Sequence, residues 1–336
     1  MDTLGIEKAL TLFPDQLREA WGQAYNINLP DLSGKKVVIS GMGGSSLAGR
    51  ILASIFEGEG GNEIFVYNDY GLPSFIDKDW ILIANSYSGN TEETLSGIDM
   101  GKKLGTQIIG IATGGKLGEM IKNSEIPGVV LTPTTNPSNF PKSALGVSLG
   151  GLTGLLSKTG LIKLTSEEFE TSVKELAEIR KRWDAKAMAG NFTSAIPVLI
   201  GSRPLLGAVH AGRNVINEIG RTFAVYFDLP EFDHHLVEAT TFPKNLFQNI
   251  FYLFLESDFY HERVKTRISV TKELFDIQKL KYGGFKLQGK SKLTQAFEIA
   301  HFCAWVALNV SLLNGEDPGP EPWIMMLKEK LSQPVH

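Results

Sequence analysis

Short apolar runs, each stopped by a glycine- or serine-rich turn and followed by residues at helical spacing, recur along this chain. Residues 36–40, 63–67, 80–84, 107–112 and 128–131 read as strands. Stretches 47–56, 92–104 and 116–123 between them have the spacing of helices. The first 30 residues read as one helix ending before Pro30, with Leu4, Ala9, Leu10, Leu17 and Trp21 as its apolar positions. Residues 133–141 carry three prolines and read as an extended connector, and 143–160 as an apolar, glycine-rich helix at a junction. A helix from Ser166 to about Met188 follows, its charged residues 174–182 forming a solvated face. A second series of strands is expected at 195–200, 223–227, 249–255 and 285–287, with helices at 206–219, 264–274, 293–313 and 322–331. Gly201-Ser202 stands 160 positions after Gly41, so a strand–glycine turn–helix unit recurs and reads as an internal duplication. Alternating strands and helices mean parallel sheets with helices on both faces. The expected fold is therefore α/β, two doubly wound domains at 1–155 and 156–336, with the ligand site at the carboxyl ends of strands.

Composition narrows the class. At 336 residues the chain suits two domains, and its 43% hydrophobic and 21% charged content is that of a soluble globular protein. A net charge of -4 argues against a nucleic-acid surface, which would need a basic stripe. The lone Cys303, set in an apolar run, is a small buried hydrophobe. Neither a signal peptide nor a run of about 18 uninterrupted apolar residues is present, so no membrane partner and a cytoplasmic location are expected.

Candidate chemistry centres on Ser86-Tyr87-Ser88-Gly89-Asn90-Thr91-Glu92-Glu93-Thr94. This strand-to-helix turn offers three hydroxyls, a glycine for close backbone approach and the free N–H groups of a helix start, which together suit a phosphate monoester. The plainer alternative is that one hydroxyl caps the helix. Gly41-Met42-Gly43-Gly44-Ser45-Ser46 forms a second such turn. It has a rough likeness to a dinucleotide loop but no clearly placed acidic residue about 20 positions on, and it suits a sugar or phosphate as well. In the second half, Glu218 and His234 are of the types that move protons near neutral pH. On its own, Glu218 is most simply a solvated helix-end carboxylate and Lys328 a surface charge. The adjacent His234 and His235 point to opposite faces if extended, and no zinc-ligand spacing accompanies them.

Gly41-Met42-Gly43-Gly44-Ser45, the 86–94 turn, Asn217-Glu218, Pro230-Glu231-Phe232-Asp233-His234 and Asp317-Pro318-Gly319-Pro320 occur in one order along the chain. In these motifs, from about residue 35 to 330, it resembles the bifunctional phosphoglucose/phosphomannose isomerases of the sugar isomerase (SIS) domain superfamily. The resemblance implies an aldose–ketose isomerase taking glucose 6-phosphate and mannose 6-phosphate to fructose 6-phosphate through a cis-enediol, without metal or organic cofactor. It implies that Gly44, Ser45, Ser86, Ser88 and Thr91 hold the phosphate, that Glu218 moves the proton between C2 and C1, and that Lys328 lies at the sugar. His234 would assist ring opening from the neighbouring subunit of a homodimer. Lys142 stands where the family pattern has an arginine thought to stabilise the enediolate, and Gly319 where it has a threonine. Lysine keeps the charge and loses the donor fork. The alternatives are an isomerase of another phosphosugar and a non-catalytic phosphosugar-binding SIS protein; the latter usually carries a fused DNA-binding segment, for which the first 35 residues are too short and not basic.

Overall fold

A computed structural model describes residues 1–57, 63–243 and 245–331. Two parallel sheets organise it. The first contains β1 (Lys36–Ser40), β2 (Ile64–Tyr67), β3 (Trp80–Ser86), β4 (Gln107–Ala112) and β5 (Gly128–Val130) in the order β2-β1-β3-β4-β5. The second contains β6 (Ile196–Ser202), β7 (Val225–Leu229), β8 (Ile250–Glu256) and β9 (Lys281–Lys286) in the order β7-β6-β8-β9. Every residue of β3 is buried, as its uninterrupted apolar run requires for a strand covered on both faces.

The helices are α1 (Ile6–Thr11), α2 (Phe13–Tyr25), α3 (Gly43–Ile55), α4 (Glu92–Leu104), α5 (Gly115–Lys122) and α6 (Leu145–Lys158) in the first half. The second half adds α7 (Ser166–Ile179), α8 (Ala185–Gly190), α9 (Leu206–Glu218), α10 (Glu262–Gln278), α11 (Lys292–Leu313) and α12 (Pro322–Leu331). One face of the first sheet lies on Ile98, Leu117 and their neighbours on α4 and α5. Its other face joins a continuous core that includes Ile39, Leu52, Leu199 and Phe297, from both sheets. α6 runs to Lys158, through the junction expected at 155. α11 is long and apolar enough by length and composition to cross a membrane, but it is mostly buried in this core.

Two expected single helices are broken. The first 30 residues form α1 and α2, because Pro14 at the second position of α2 has no N–H to continue the ladder of α1. The helix expected from 166 to 188 stops at Ile179. A 3-10 turn follows, and Trp183 leaves the helical path to pack edge-on against His301 and Phe302. Asp184 then restarts the chain as the cap of α8, accepting from the Ala187 N–H at 2.9 Å.

The strand order fixes where a ligand can sit. From β1 the chain crosses to β2 on one side, and from β3 to β4 on the other, so the turns after β1 and β3 open side by side at the switch point. Ser40 pairs with Ala84 across that boundary. The two glycine–serine turns singled out in the sequence are these two turns.

Candidate active site

The 86–91 turn is shaped by Gly89, whose φ is +72° and whose missing Cβ would lie 1.8 Å from the Gly114 carbonyl oxygen. Thr91 is the N-cap residue of α4, yet its hydroxyl makes no cap bond. It lies 2.7 Å from Ser86 Oγ instead, and Ser86 Oγ also accepts from the Gly89 N–H at 3.0 Å. Ser88 Oγ accepts from the Asn90 N–H at 3.3 Å. Ser45, on the neighbouring turn, accepts from the Tyr87 N–H at 3.0 Å. Each hydroxyl has one proton. Ser45 and Ser88 spend only lone pairs here, and the Ser86–Thr91 bond uses one proton of two. Three O–H donors thus remain beside the uncapped starts of α3 and α4.

The second cluster draws on residues 142, 218, 321 and 328, which are far apart in sequence. Lys142, in a 3-10 turn (Pro141–Ser143), has a side chain fully withdrawn from solvent. Its ammonium donates to the Pro318 carbonyl at 2.7 Å and the Gly319 carbonyl at 2.5 Å, and lies 3.3 Å from Glu321 Oε1. Glu218 ends α9 against this group. Burial, followed by the charge of Glu321, pushes the Glu218 carboxyl up to about 7, while Lys142 and Lys328 pull the other way. Lys328, on α12, is exposed. The structure therefore brings Glu218, Lys142 and Lys328 together and adds Glu321, which sequence reasoning passed over. Its only signal was its place directly after Asp317-Pro318-Gly319-Pro320.

The loop that holds Lys142 is itself tied down. Asp317 accepts from Thr3 Oγ1 at 2.5 Å and from the Gly319 N–H at 2.9 Å. A Cβ at Gly319 would lie 2.8 Å from Leu4 Cγ, so the N-terminal segment occupies the space a larger side chain would need. A buried network links the cluster to the turns. Asn136 donates to Tyr87 Oη at 2.9 Å and to the Phe140 carbonyl at 3.1 Å, and Pro141 O lies 3.7 Å from where a Gly44 Cβ would be. Thus the turn at Gly44 and the Tyr87 side chain lie beside the connector that carries Lys142.

His234 is elsewhere. α9 runs back from the carboxyl edge of the second sheet, so Glu218 lies at the amino edge, whereas His234 follows β7 at the carboxyl edge. The 13 residues of α9 separate them by about 20 Å. His234 is exposed, and its neighbour Asp233 is held by Arg267 and Thr271 at 3.1 and 2.9 Å. Two clefts of about 1,000 Å³ each are lined by α7 with the 288–294 segment and by α3, β2 and α9; neither is lined by Glu218 or the serine turn.

The bacterial phospho-glucose isomerase C-terminal SIS domain matches residues 181–331. A bifunctional phosphoglucose/phosphomannose isomerase of Aquifex aeolicus is 32% identical over 303 residues, covering 89% of this chain and 91% of that protein. This chain belongs to the bifunctional phosphoglucose/phosphomannose isomerase family. A family member from Caldicellulosiruptor bescii is 29% identical over 95% of this chain and 97% of its own length. The structure of tagatose-6-phosphate ketose/aldose isomerase from Escherichia coli superimposes with a TM-score of 0.67 at 16% identity, over 95% of this chain and 94% of that one, which shows a shared SIS fold. Against the phosphoglucose/phosphomannose isomerase pattern, the lysine at 142 and the glycine at 319 are physically connected here, since the ammonium is bound by the backbone carbonyl of Gly319 itself.

Proposed function

We propose that this protein is an aldose–ketose isomerase that converts glucose 6-phosphate and mannose 6-phosphate to fructose 6-phosphate. The observation that carries the reading is a buried glutamate, titrating near neutrality and acted on by Lys142, whose connector adjoins a hydroxyl-lined double turn. In this reading the hydroxyls of Ser45, Ser86, Ser88 and Thr91, with the backbone at Gly44, hold the phosphate. That contact is remote from the reacting carbons, so its binding energy orients the open chain. Glu218 takes the proton from C2 and returns it to C1. The cations Lys142 and Lys328 meet the charge that develops on the oxygens. A carboxylate titrating near neutrality suits both halves of this transfer, since it is a stronger base than an ordinary glutamate and still gives the proton back.

Ring opening is assigned to His234 of the partner subunit in a homodimer, which accords with the distance between His234 and Glu218 within one chain. A cytoplasmic location goes with the same reading. One feature favours a second reading, an isomerase of a different phosphosugar: Lys142 is already bound to two carbonyls and Glu321, so it presents less to a substrate oxygen than a free guanidinium would. A coupled assay with glucose 6-phosphate and mannose 6-phosphate separates the two. Activity on both that falls at least ~100-fold in Glu218→Gln supports the proposal. A wild type inactive on both, with saturable binding of a sugar phosphate, points to the second reading or to a binding protein.

A further inference from the structure

The cleft between α3 and α9, about 1,000 Å³ and flanked by the edge strands β2 and β7, holds two guanidinium groups that no carboxylate meets. The other charges along it are spoken for. Lys36 and Glu63 pair at 3.5 Å near the strand starts, Arg203 pairs with Glu57, and Asp77 accepts from the Asp79 N–H at 2.9 Å. Arg50, on α3, makes one hydrogen bond, to Asn68, which leaves most of its five donors unspent. Arg213, on α9, lies over the Tyr226 ring at 5.4 Å, and its buried Nε has no hydrogen-bond partner. Among the described residues neither guanidinium has a carboxylate in salt-bridge reach.

His210 joins these cations to the cleft. Its ring stacks on Tyr226 with centroids 5.0 Å apart, and its Nδ1 lies 3.4 Å from Tyr226 Oη. Burial, followed by the charges of Arg213 and Arg50, pushes this imidazole down to about 4, so it is neutral at pH 7. Two cations close to one imidazole and free of carboxylates suit a phosphate. Toward the strand starts the lining turns aromatic: Phe65 and Phe75 are exposed and meet edge to face at 5.2 Å, and Phe75 leans on Trp80. Phe65 precedes Asn68 by three residues, about 10 Å along an extended chain, so one ligand can meet both the ring wall and Arg50. The walls are fixed in advance, since Ser54 on α3 donates to the Pro204 carbonyl and accepts from the Gly207 N–H at 3.2 Å.

We propose that this cleft is a second ligand site, for a nucleoside phosphate, with the phosphate on Arg50 and His210 and the base on Phe65 and Phe75. Arg213 adds its charge beside the His210–Tyr226 pair. The site is wired to the first of the two glycine–serine turns. Asn68, which accepts from Arg50, donates to the Gly41 carbonyl and to Ser46 Oγ. An anion that draws Arg50 from Asn68 changes the support of the 41–46 turn, and so the affinity of that turn for a sugar phosphate. This coupling rests on the phosphosugar reading; the cleft site does not.

The test is calorimetric titration of the full chain with AMP and, separately, with inorganic phosphate. AMP is expected to bind saturably and at least about tenfold more tightly than phosphate, through stacking of its base. Phe75→Ala, at an exposed side chain, is expected to remove that advantage. Arg50→Gln and Arg213→Gln are each expected to weaken AMP at least about tenfold, and Arg50→Lys to recover part of the loss. Ser88→Ala, in the serine turn, is expected to leave AMP binding unchanged. The proposal is overturned by the lack of saturable AMP binding, by phosphate binding as tightly as AMP, or by AMP binding that Ser88→Ala abolishes and Arg50→Gln spares. AMP and fructose 6-phosphate should each change the other's affinity by one common factor, about fivefold or more; affinities that ignore each other overturn the link through Asn68. A chain that takes AMP but no sugar phosphate would count against the isomerase reading and leave the cleft site standing.

Discussion

Glu218 carries its chemical readiness at a cost to the fold. Its carboxyl is held near 7 in the folded protein against an ordinary 4.5, chiefly by burial and by Glu321. The folded state thus binds this proton more tightly than the unfolded chain does between about pH 4.5 and 7. Stability present at low pH is accordingly lost as pH rises through that window. Glu218→Gln keeps the shape and cannot ionise. It is expected to match the wild type near pH 5 and to exceed its unfolding free energy by on the order of 1–3 kcal/mol at pH 8, measured by urea unfolding at both pH values. At this scale the sequence disclosed unequal amounts. The serine turn was readable because hydroxyls, a glycine and a helix start fall within six consecutive residues, 86–91. Glu321 was not, since its role arises from a lysine 179 positions earlier that only the fold brings to it.

Elements are where the glycine content of this chain finds its use. Gly146, Gly150 and Gly154 recur every fourth residue along α6 and so line one face, and that face lies against the backbone of α2. A Cβ at Gly150 would come 2.2 Å from the Leu17 carbonyl oxygen, so the two helices can approach this closely only without a side chain there. Gly150→Ala adds one methyl group and raises intrinsic helix propensity, yet it is expected to destabilise by about 1–3 kcal/mol through overpacking, read as a lowered thermal midpoint. A neutral or stabilising result would mean that α2 shifts freely. The elements themselves were largely legible, because apolar runs bounded by glycine turns leave little ambiguity between strand and helix. The two breaks that were missed, at Pro14 and at Trp183, are decided locally: a proline that cannot donate, and an indole whose packing partners lie more than 100 residues later.

At the scale of the whole molecule, the two sheets share one continuous core, and α3 of the first unit packs on α9 of the second. The Gly207 backbone approaches so close to α3 that a Cβ there would meet the Arg50 carbonyl oxygen at 2.1 Å. Such packing fixes the orientation of α9 and with it the position of Glu218 relative to the serine turn. A duplicated α/β unit could be read from the sequence, whereas this joint could not, because nothing in a local pattern states which helix faces meet. The same geometry sets Glu218 and His234 at opposite edges of the second sheet. In the proposed homodimer, each reaction centre then draws its base from one chain and its imidazole from the other. Two dead variants, Glu218→Gln and His234→Ala, mixed and allowed to exchange subunits, should therefore regain about a quarter of wild-type activity, since half the dimers are mixed and each of those has one intact centre of two. Either variant alone would stay inactive under the same treatment, so the recovered rate would count subunits and not residues.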